Sequence, residues 1–422
     1  MYKIIIFTSL IIILVFTYDA LSHYVYEKTK FIDELLSYSF FSLIILNTLK
    51  KGSIKLLRFE KLQSLALFLL MLSGVCSHLF FKRNNFQAFY TDFIIFFKFY
   101  AAYLSARYFL KIPLFKFKKF LTYFFSTCFF FLASLIIVNK VFHIFPQVDP
   151  RLGFYSEELF FSHPSRMAFA FEFLFILLFP FLVNKSSGRI LLILVMIFGL
   201  TSMRYKYFCF CIVALLFFYL IDKVKKITLF NKKVLVMLIL GFFVIILITA
   251  FQIKSNYSKV AYEYGIARAK LLYTSFSLAK KYFPLGSGFG TFGSYASQKY
   301  YSPVYYEFSL DKIYGLSPGA NTLICDTYWP MVLGQFGYLG LLFIVLVLYW
   351  FMRAFVKLYN MTPSINEKAL YLSALLLLLT LILDSSSDTT LVQNRAVAAC
   401  MYMGVVVNYY FIAKNNENSD NK

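Results

Sequence analysis

The sequence predicts an all-α, polytopic integral membrane protein: one domain over residues 1–422, with about twelve transmembrane helices and a large outward-facing loop between helices 9 and 10. Three observations carry this expectation. Of 422 residues, 60% are hydrophobic and 21% aromatic, whereas soluble domains run at about 45–50% apolar. The apolar residues fall into runs near the roughly 20 residues that a helix needs to cross a bilayer. The formal net charge of +22 gathers in short Lys/Arg clusters between those runs. In a soluble chain that charge would point to nucleic acid. Here the positive-inside bias of membrane loops accounts for it, anionic membrane lipids suit the surplus, and no nucleic-acid partner is expected.

The elements follow in order. The opening "MYKIIIFTSLIIILVFTYDA" has the Lys-then-apolar pattern of a signal peptide. Phe16, Thr17 and Tyr18 are wrong for a small-residue cleavage site, so it reads as an uncleaved first helix. The twelve predicted spans are 4–18, 34–49, 62–81, 86–110, 120–138, 166–183, 189–203, 205–221, 234–252, 328–351, 369–384 and 391–413. Basic residues fill four of the intervening loops: Lys50, Lys51, Lys55, Arg58 and Lys61; Lys111, Lys116, Lys118 and Lys119; Lys223, Lys225, Lys226, Lys232 and Lys233; and Arg353, Lys357 and Lys368. With twelve spans all four clusters fall on one side, which is then the cytoplasm, with both termini. One missed helix would break that agreement.

Two segments of substance remain outside, at about 139–165 and about 253–325. Loops beyond about 12–15 residues are usually functional or disordered. The larger one mixes Tyr, Phe, Leu and Gly, so it is expected to fold, with a helix near Tyr262 to Tyr282. Five of the six cysteines lie inside apolar runs, there is no CxxC pair, and the four histidines are scattered. No disulfide, metal site or cofactor is therefore expected.

Candidate chemistry lies in the outward segments. Arg151, Arg166, Arg204 and Arg268 stand on the face where basic residues are least expected. A solvated charge explains any one of them; three or more together weaken that explanation. Guanidinium groups bind phosphate through paired N–H donors, so an anionic substrate such as a lipid-linked pyrophosphate would account for the set. "PLGSGFGTFGSY" carries Gly286, Gly288, Gly290 and Gly293, but no strand precedes it, so a nucleotide loop is rejected. A plain turn, or close backbone approach to a ligand, explains these glycines equally well. Tyr300, Tyr301, Tyr305 and Tyr306 suit sugar rings, and suit a membrane interface as well. Asp326, before "TYWPMVLGQFGYLG", fits a helix N-cap, with Thr327 as the other capping choice. It also fits a catalytic acid or base, as does His163.

Four stretches together resemble the O-antigen polymerase and ligase superfamily, Wzy-type polysaccharide polymerases in particular. They are "RLGFYSEELFFSHPSRMAF", "GLTSMRYKYF", "ARAKLLYTSFSLAKKYFPLGSGFGTFGSYAS" and "DTYWPMVLGQFGYLG". In order they are similar to the family's Arg-then-His-Pro outer loop, its T-x-S-R-like turn, its Arg-led helix running into Pro-Leu-Gly-x-Gly-x-Gly, and the polar start of the helix after the large loop. The resemblance spans roughly residues 150–345, and its order and spacing are more specific than any one motif. It implies a bacterial inner-membrane glycosyltransferase that polymerises undecaprenyl-pyrophosphate-linked repeat units, as in O-antigen or capsular polysaccharide. With no P-loop, Ser-His-Asp spacing or aspartate-rich metal motif in the sequence, a metal-free mechanism is the expectation that remains. It implies a flippase and a chain-length regulator as partners. Arg151, Arg204 and Arg268 match the family's pyrophosphate arginines. The ligases, whose acceptor is the lipid A core, keep a histidine where Asp326 stands, which favours the polymerase over the ligase. The rival from another class is a transporter or flippase of lipid-linked oligosaccharide, for which Lys98, Arg107 and Glu172 are the candidate mid-membrane charges.

Overall fold

The computed structural model describes residues 1–21, 31–51, 56–81, 85–151, 153–228, 246, 249–250 and 253–420. Its long helices are α1 (Tyr2–Ala20), α2 (Ile32–Lys51), α3 (Arg58–Phe81), α4 (Phe86–Phe109), α5 (Leu114–Phe142), α6 (Pro164–Leu182), α7 (Ser186–Ser202) and α8 (Tyr205–Lys223). Short helices α9 (Lys259–Glu263), α10 (Ala267–Lys281), α11 (Tyr295–Lys299) and α12 (Pro303–Glu307) follow, then the long α13 (Tyr328–Met361), α14 (Ile365–Asp384) and α15 (Asn394–Asp420). Among the described residues seven helices, α1, α3, α5, α6, α8, α13 and α14, are long and apolar enough to cross a membrane. Helices also occupy the predicted spans 34–49, 86–110, 189–203 and 391–413. The predicted span 234–252 lies almost wholly outside the described residues.

Helix α6 is the axis of the bundle. His163 occupies its N-cap in extended geometry and Pro164 its first turn, where a missing N–H costs nothing. It is buried all round from Met167 to Phe181, as a sequence apolar on every face apart from Glu172 leads one to expect. Helices α5, α7 and α14 pack on it, α15 packs along α4, and α13 packs along α3. Two groups of charges inside the bundle neutralise one another. Lys98 Nζ lies 2.6 Å from both Asp33 Oδ2 and Glu34 Oε1, and Arg107 Nε lies 3.3 Å from Glu60 Oε1. Glu172 is fully buried on α6, and neither carboxyl oxygen has a hydrogen-bond partner among the described residues.

The segment 253–325 folds, as expected. The predicted helix near 262–282 is split in two, because Gly265 takes a left-handed φ of +75° that ends α9 before α10 begins. A second, smaller core of Leu271, Leu278, Phe292, Tyr305, Leu316 and Ile324 holds α10 and α12 together. The glycine-rich stretch then plugs into the bundle. Ser287 N donates to Gly334 O at 3.0 Å and Gly288 N to Gln335 O at 2.8 Å. Ser77 Oγ donates to Gly286 O at 2.6 Å, and Asp92 Oδ2 accepts from Gly290 N at 2.6 Å. Gly337 leaves helical geometry inside α13 (φ +64°, ψ −165°), which frees the carbonyls that the plug reads.

The structure is mostly helical, as an all-α chain should be, with one small addition that the sequence did not predict. Residues Gln147–Arg151 (β1) and Phe154–Glu157 (β2) form an antiparallel hairpin inside the predicted loop 139–165. Glu157 anchors it to the end of α5, accepting from Asn139 Nδ2 at 2.5 Å and pairing with Lys140 Nζ at 2.6 Å. Both contacts lie within 18 positions in sequence, but neither follows from apolar periodicity.

Candidate functional site

At one end of the bundle the starts of α6, α8 and α13 meet the end of α14, the hairpin and α10 around a cavity of about 730 Å³. Each functional side chain reaches it through a local device. The hairpin carries Asp149 and Arg151. The N-terminal turn of α6 carries His163 and Arg166. After α7, Met203 takes a left-handed φ of +51°, turning the chain back so that Arg204 caps α8 and Lys206 lies in its first turn. Arg268 lies in the first turn of α10, and Asp326 stands two residues before α13.

All four sequence-predicted arginines line this cavity, as do His163 and Asp326. Five cations, Arg151, Arg166, Arg204, Lys206 and Arg268, face three carboxylates, Asp149, Asp326 and Asp388. Arg204 Nη2 lies 3.0 Å from Asp149 Oδ2, with Arg151 Nη2 4.0 Å from the same oxygen. Arg166 pairs with Asp19 of α1. Arg268 Nη2 donates to Asp326 Oδ2 at 3.0 Å. The Nε groups of Arg204 and Arg268 are buried without an acceptor among the described residues. A buried guanidinium donor left unpaired is costly, so the cavity presents strong donors and surplus positive charge to an anion.

This wall continues into a network whose Asp384, Asp388 and Arg395 the sequence reading did not single out. Arg395 pairs with Asp388 and sits 3.8 Å from Asp384 Oδ2, while Lys206 Nζ lies 3.6 Å from Asp384 Oδ1. Burial opposes the charge on Asp388, but Arg395 and Lys206 outweigh it and hold the carboxyl far below its usual value. The polar interruption "DSSSDTTLVQNR" between two apolar runs was the available signal.

The two candidate bases separate. His163 Nδ1 accepts the backbone N–H of Ser165 at 3.1 Å, closing the N-terminus of α6. Burial, then the charges of Arg204 and Lys206, push its imidazole down to about 4, so it is a neutral cap. The nitrogen that would take a proton is already engaged, which moves the base role away from His163. Asp326 differs from its expected cap as well. Thr327 holds the N-cap position of α13 without a side-chain bond, and the Asp326 carboxylate turns to Arg268 instead. Burial pushes its carboxyl above the usual range, against the pull of Arg268. A carboxylate in this state, open on one oxygen to a large cavity, is suited to accept a proton from a bound hydroxyl.

The tyrosines do not join the cavity. Tyr305 is buried, its hydroxyl accepting from Gly293 N at 2.8 Å and bonding Ser297 Oγ at 2.8 Å. Tyr301 donates to Leu316 O at 2.9 Å, and its ring stands between those of Tyr305 and Tyr306. Tyr300 lies beside Lys299 on the same subdomain. Gly286, Gly288 and Gly290 have φ of +76°, +95° and +70°, so the expected left-handed turns are present; Gly286 closely approaches α13, Gly288 approaches Ser77 and His78 of α3, and Gly290 N donates to Asp92 of α4. No group of three His, Cys, Asp or Glu side chains among the described residues is placed to hold a metal ion. No protein-family model matches this chain, and no curated protein matches it.

Proposed function

We propose that the protein is a membrane glycosyltransferase that polymerises lipid-pyrophosphate-linked oligosaccharide repeat units on the outer face of a bacterial cytoplasmic membrane. The observation that carries this reading is the convergence of Arg151, Arg166, Arg204 and Arg268 on one cavity that also holds the Asp326 carboxylate. The acceptor hydroxyl oxygen forms the new bond to the anomeric carbon. The bond from that carbon to the pyrophosphate breaks, and the leaving group departs with its electron pair toward the guanidinium donors. Asp326 takes the hydroxyl proton. With no covalent intermediate, one displacement inverts the anomeric configuration.

The test is purified protein with a lipid-linked repeat unit and no nucleotide. Ladders of lengthening product support the reading. Transfer only to a lipid A core acceptor would make the protein a ligase, and translocation of unaltered substrate would make it a transporter. The proposed side rests on the basic loops: reporter fusions after Lys61, Lys119 and Lys233 are expected to signal cytoplasm, and one at Tyr301 the outside. A cytoplasmic signal at Tyr301 would overturn it.

A further inference from the structure

A second cavity, of about 420 Å³, opens at the opposite end of the bundle, between the start of α3, the last turns of α13 and the middle of α15. Nine of its twelve lining residues are apolar, Trp350, Met361 and Phe411 among them; the other three are Arg58, Arg353 and Lys357. No carboxylate lines it among the described residues. The acid nearest in sequence, Glu60 on the first turn of α3, is fully buried and turned inward. It accepts from Leu57 N and Tyr103 Oη at 2.8 Å each and pairs with Arg107. Arg353 lies over the Trp350 ring at 5.3 Å and donates from Nη1 to the Tyr349 hydroxyl at 3.4 Å, and no carboxylate in the groove's lining pairs with it among the described residues. Three cations therefore edge one apolar groove, and the local acid is spent elsewhere.

Repulsion among unpaired cations is unfavourable, and an apolar groove with charged edges meets its match in a molecule with one anionic end and one apolar end. Trp and Tyr are enriched at the head-group level, and basic pockets between membrane helices suit phosphate head groups. We propose that this groove binds an anionic phospholipid of the surrounding bilayer, with its phosphate among Arg58, Arg353 and Lys357 and an acyl chain against Trp350 and Met361. The apolar walls, which a free phosphate leaves uncovered, select the lipid over the inorganic ion.

The chain has two tryptophans, Trp329 and Trp350, so Trp329→Phe leaves one reporter inside the groove. The full-length protein is placed in phosphatidylcholine vesicles containing brominated phosphatidylglycerol or, separately, brominated phosphatidylcholine at equal mole fraction. Stronger quenching of Trp350 by the anionic lipid is expected. Arg58→Gln with Lys357→Gln should weaken that preference about 25-fold, at about fivefold for each charge removed. Arg58→Lys with Lys357→Arg should retain it, which separates charge from damage to the fold. Equal quenching by both lipids overturns the proposal, as does loss of the anionic preference on adding inorganic phosphate at constant ionic strength.

Discussion

Arg268 and Asp326, 58 positions apart, meet at 3.0 Å on the rim of the cavity. One guanidinium thereby supports a carboxylate without saturating it. Asp326→Asn should remain folded, because its carboxylate caps no helix, and should lose about 10²-fold or more in polymerisation, the usual scale of acid–base help. Product ladders and thermal melts of the same preparation check this. Burial raises the Asp326 pKa, so kcat/KM should fall as pH drops through a value above the ordinary 3.8. A folded, fully active Asn variant would remove the catalytic role.

Arg204 is almost wholly buried, whereas its partner Asp149 is 55% exposed. Removing the arginine therefore strands no buried charge. Arg204→Ala should melt close to the parent while losing about 10²–10³-fold in turnover, the effect of deleting one donor to a developing anion. Arg204→Lys should rescue poorly, since an ammonium lacks the planar fork. Full activity in both variants would exclude an anion clamp here.

Burial, then the charges of Arg204 and Lys206, push the His163 imidazole from its ordinary 6.5 down to about 4 in the folded protein. Between those values the unfolded chain binds the proton and the folded protein does not, so stability rises with pH from about 4 to 6.5 and is lost as pH falls through that window. His163→Asn keeps a capping side chain and removes the titration. Its melting temperature should therefore change less over pH 4–6.5 than that of the parent, with activity within a few-fold. A 10²-fold loss of turnover in this variant would return His163 to the reaction.

Gly286 holds φ +76°, and a Cβ there would lie 2.5 Å from Gly337 N and 2.6 Å from Gln335 O. Both obstacles are backbone and cannot swing aside. Gly286→Ala adds left-handed strain of about 1–2 kcal/mol to that clash. Expression in the membrane and the melting temperature should both fall, before any effect on chemistry is measurable.

Much of the helical layout was legible in the sequence, because the bilayer imposes it. Every backbone amide in hydrocarbon needs an internal partner, so runs of apolar residues become helices whatever packs on them. The arginines of the cavity were legible for a related reason: basic residues away from the Lys-rich loops defy the topological bias and call for another cause. Asp326 was visible as a polar residue at the start of a span, but whether it would cap or pair was not. Local capping propensity favours the cap, and only the approach of α10 supplies the guanidinium that wins.

The hairpin, the glycine plug, the inward tyrosines and the Asp384–Asp388–Arg395 network were decided by the tertiary structure. Each depends on contacts between segments whose separation no 2.0 or 3.6 periodicity records. Gly286 meets Gly337 only because α13 breaks there, and Tyr305 turns inward only because Gly293 and Ser297 offer it partners. Hydropathy, set by local composition, thus determined which segments are membrane helices; the pairing of polar groups, set by distance in space, decided what those helices hold between them.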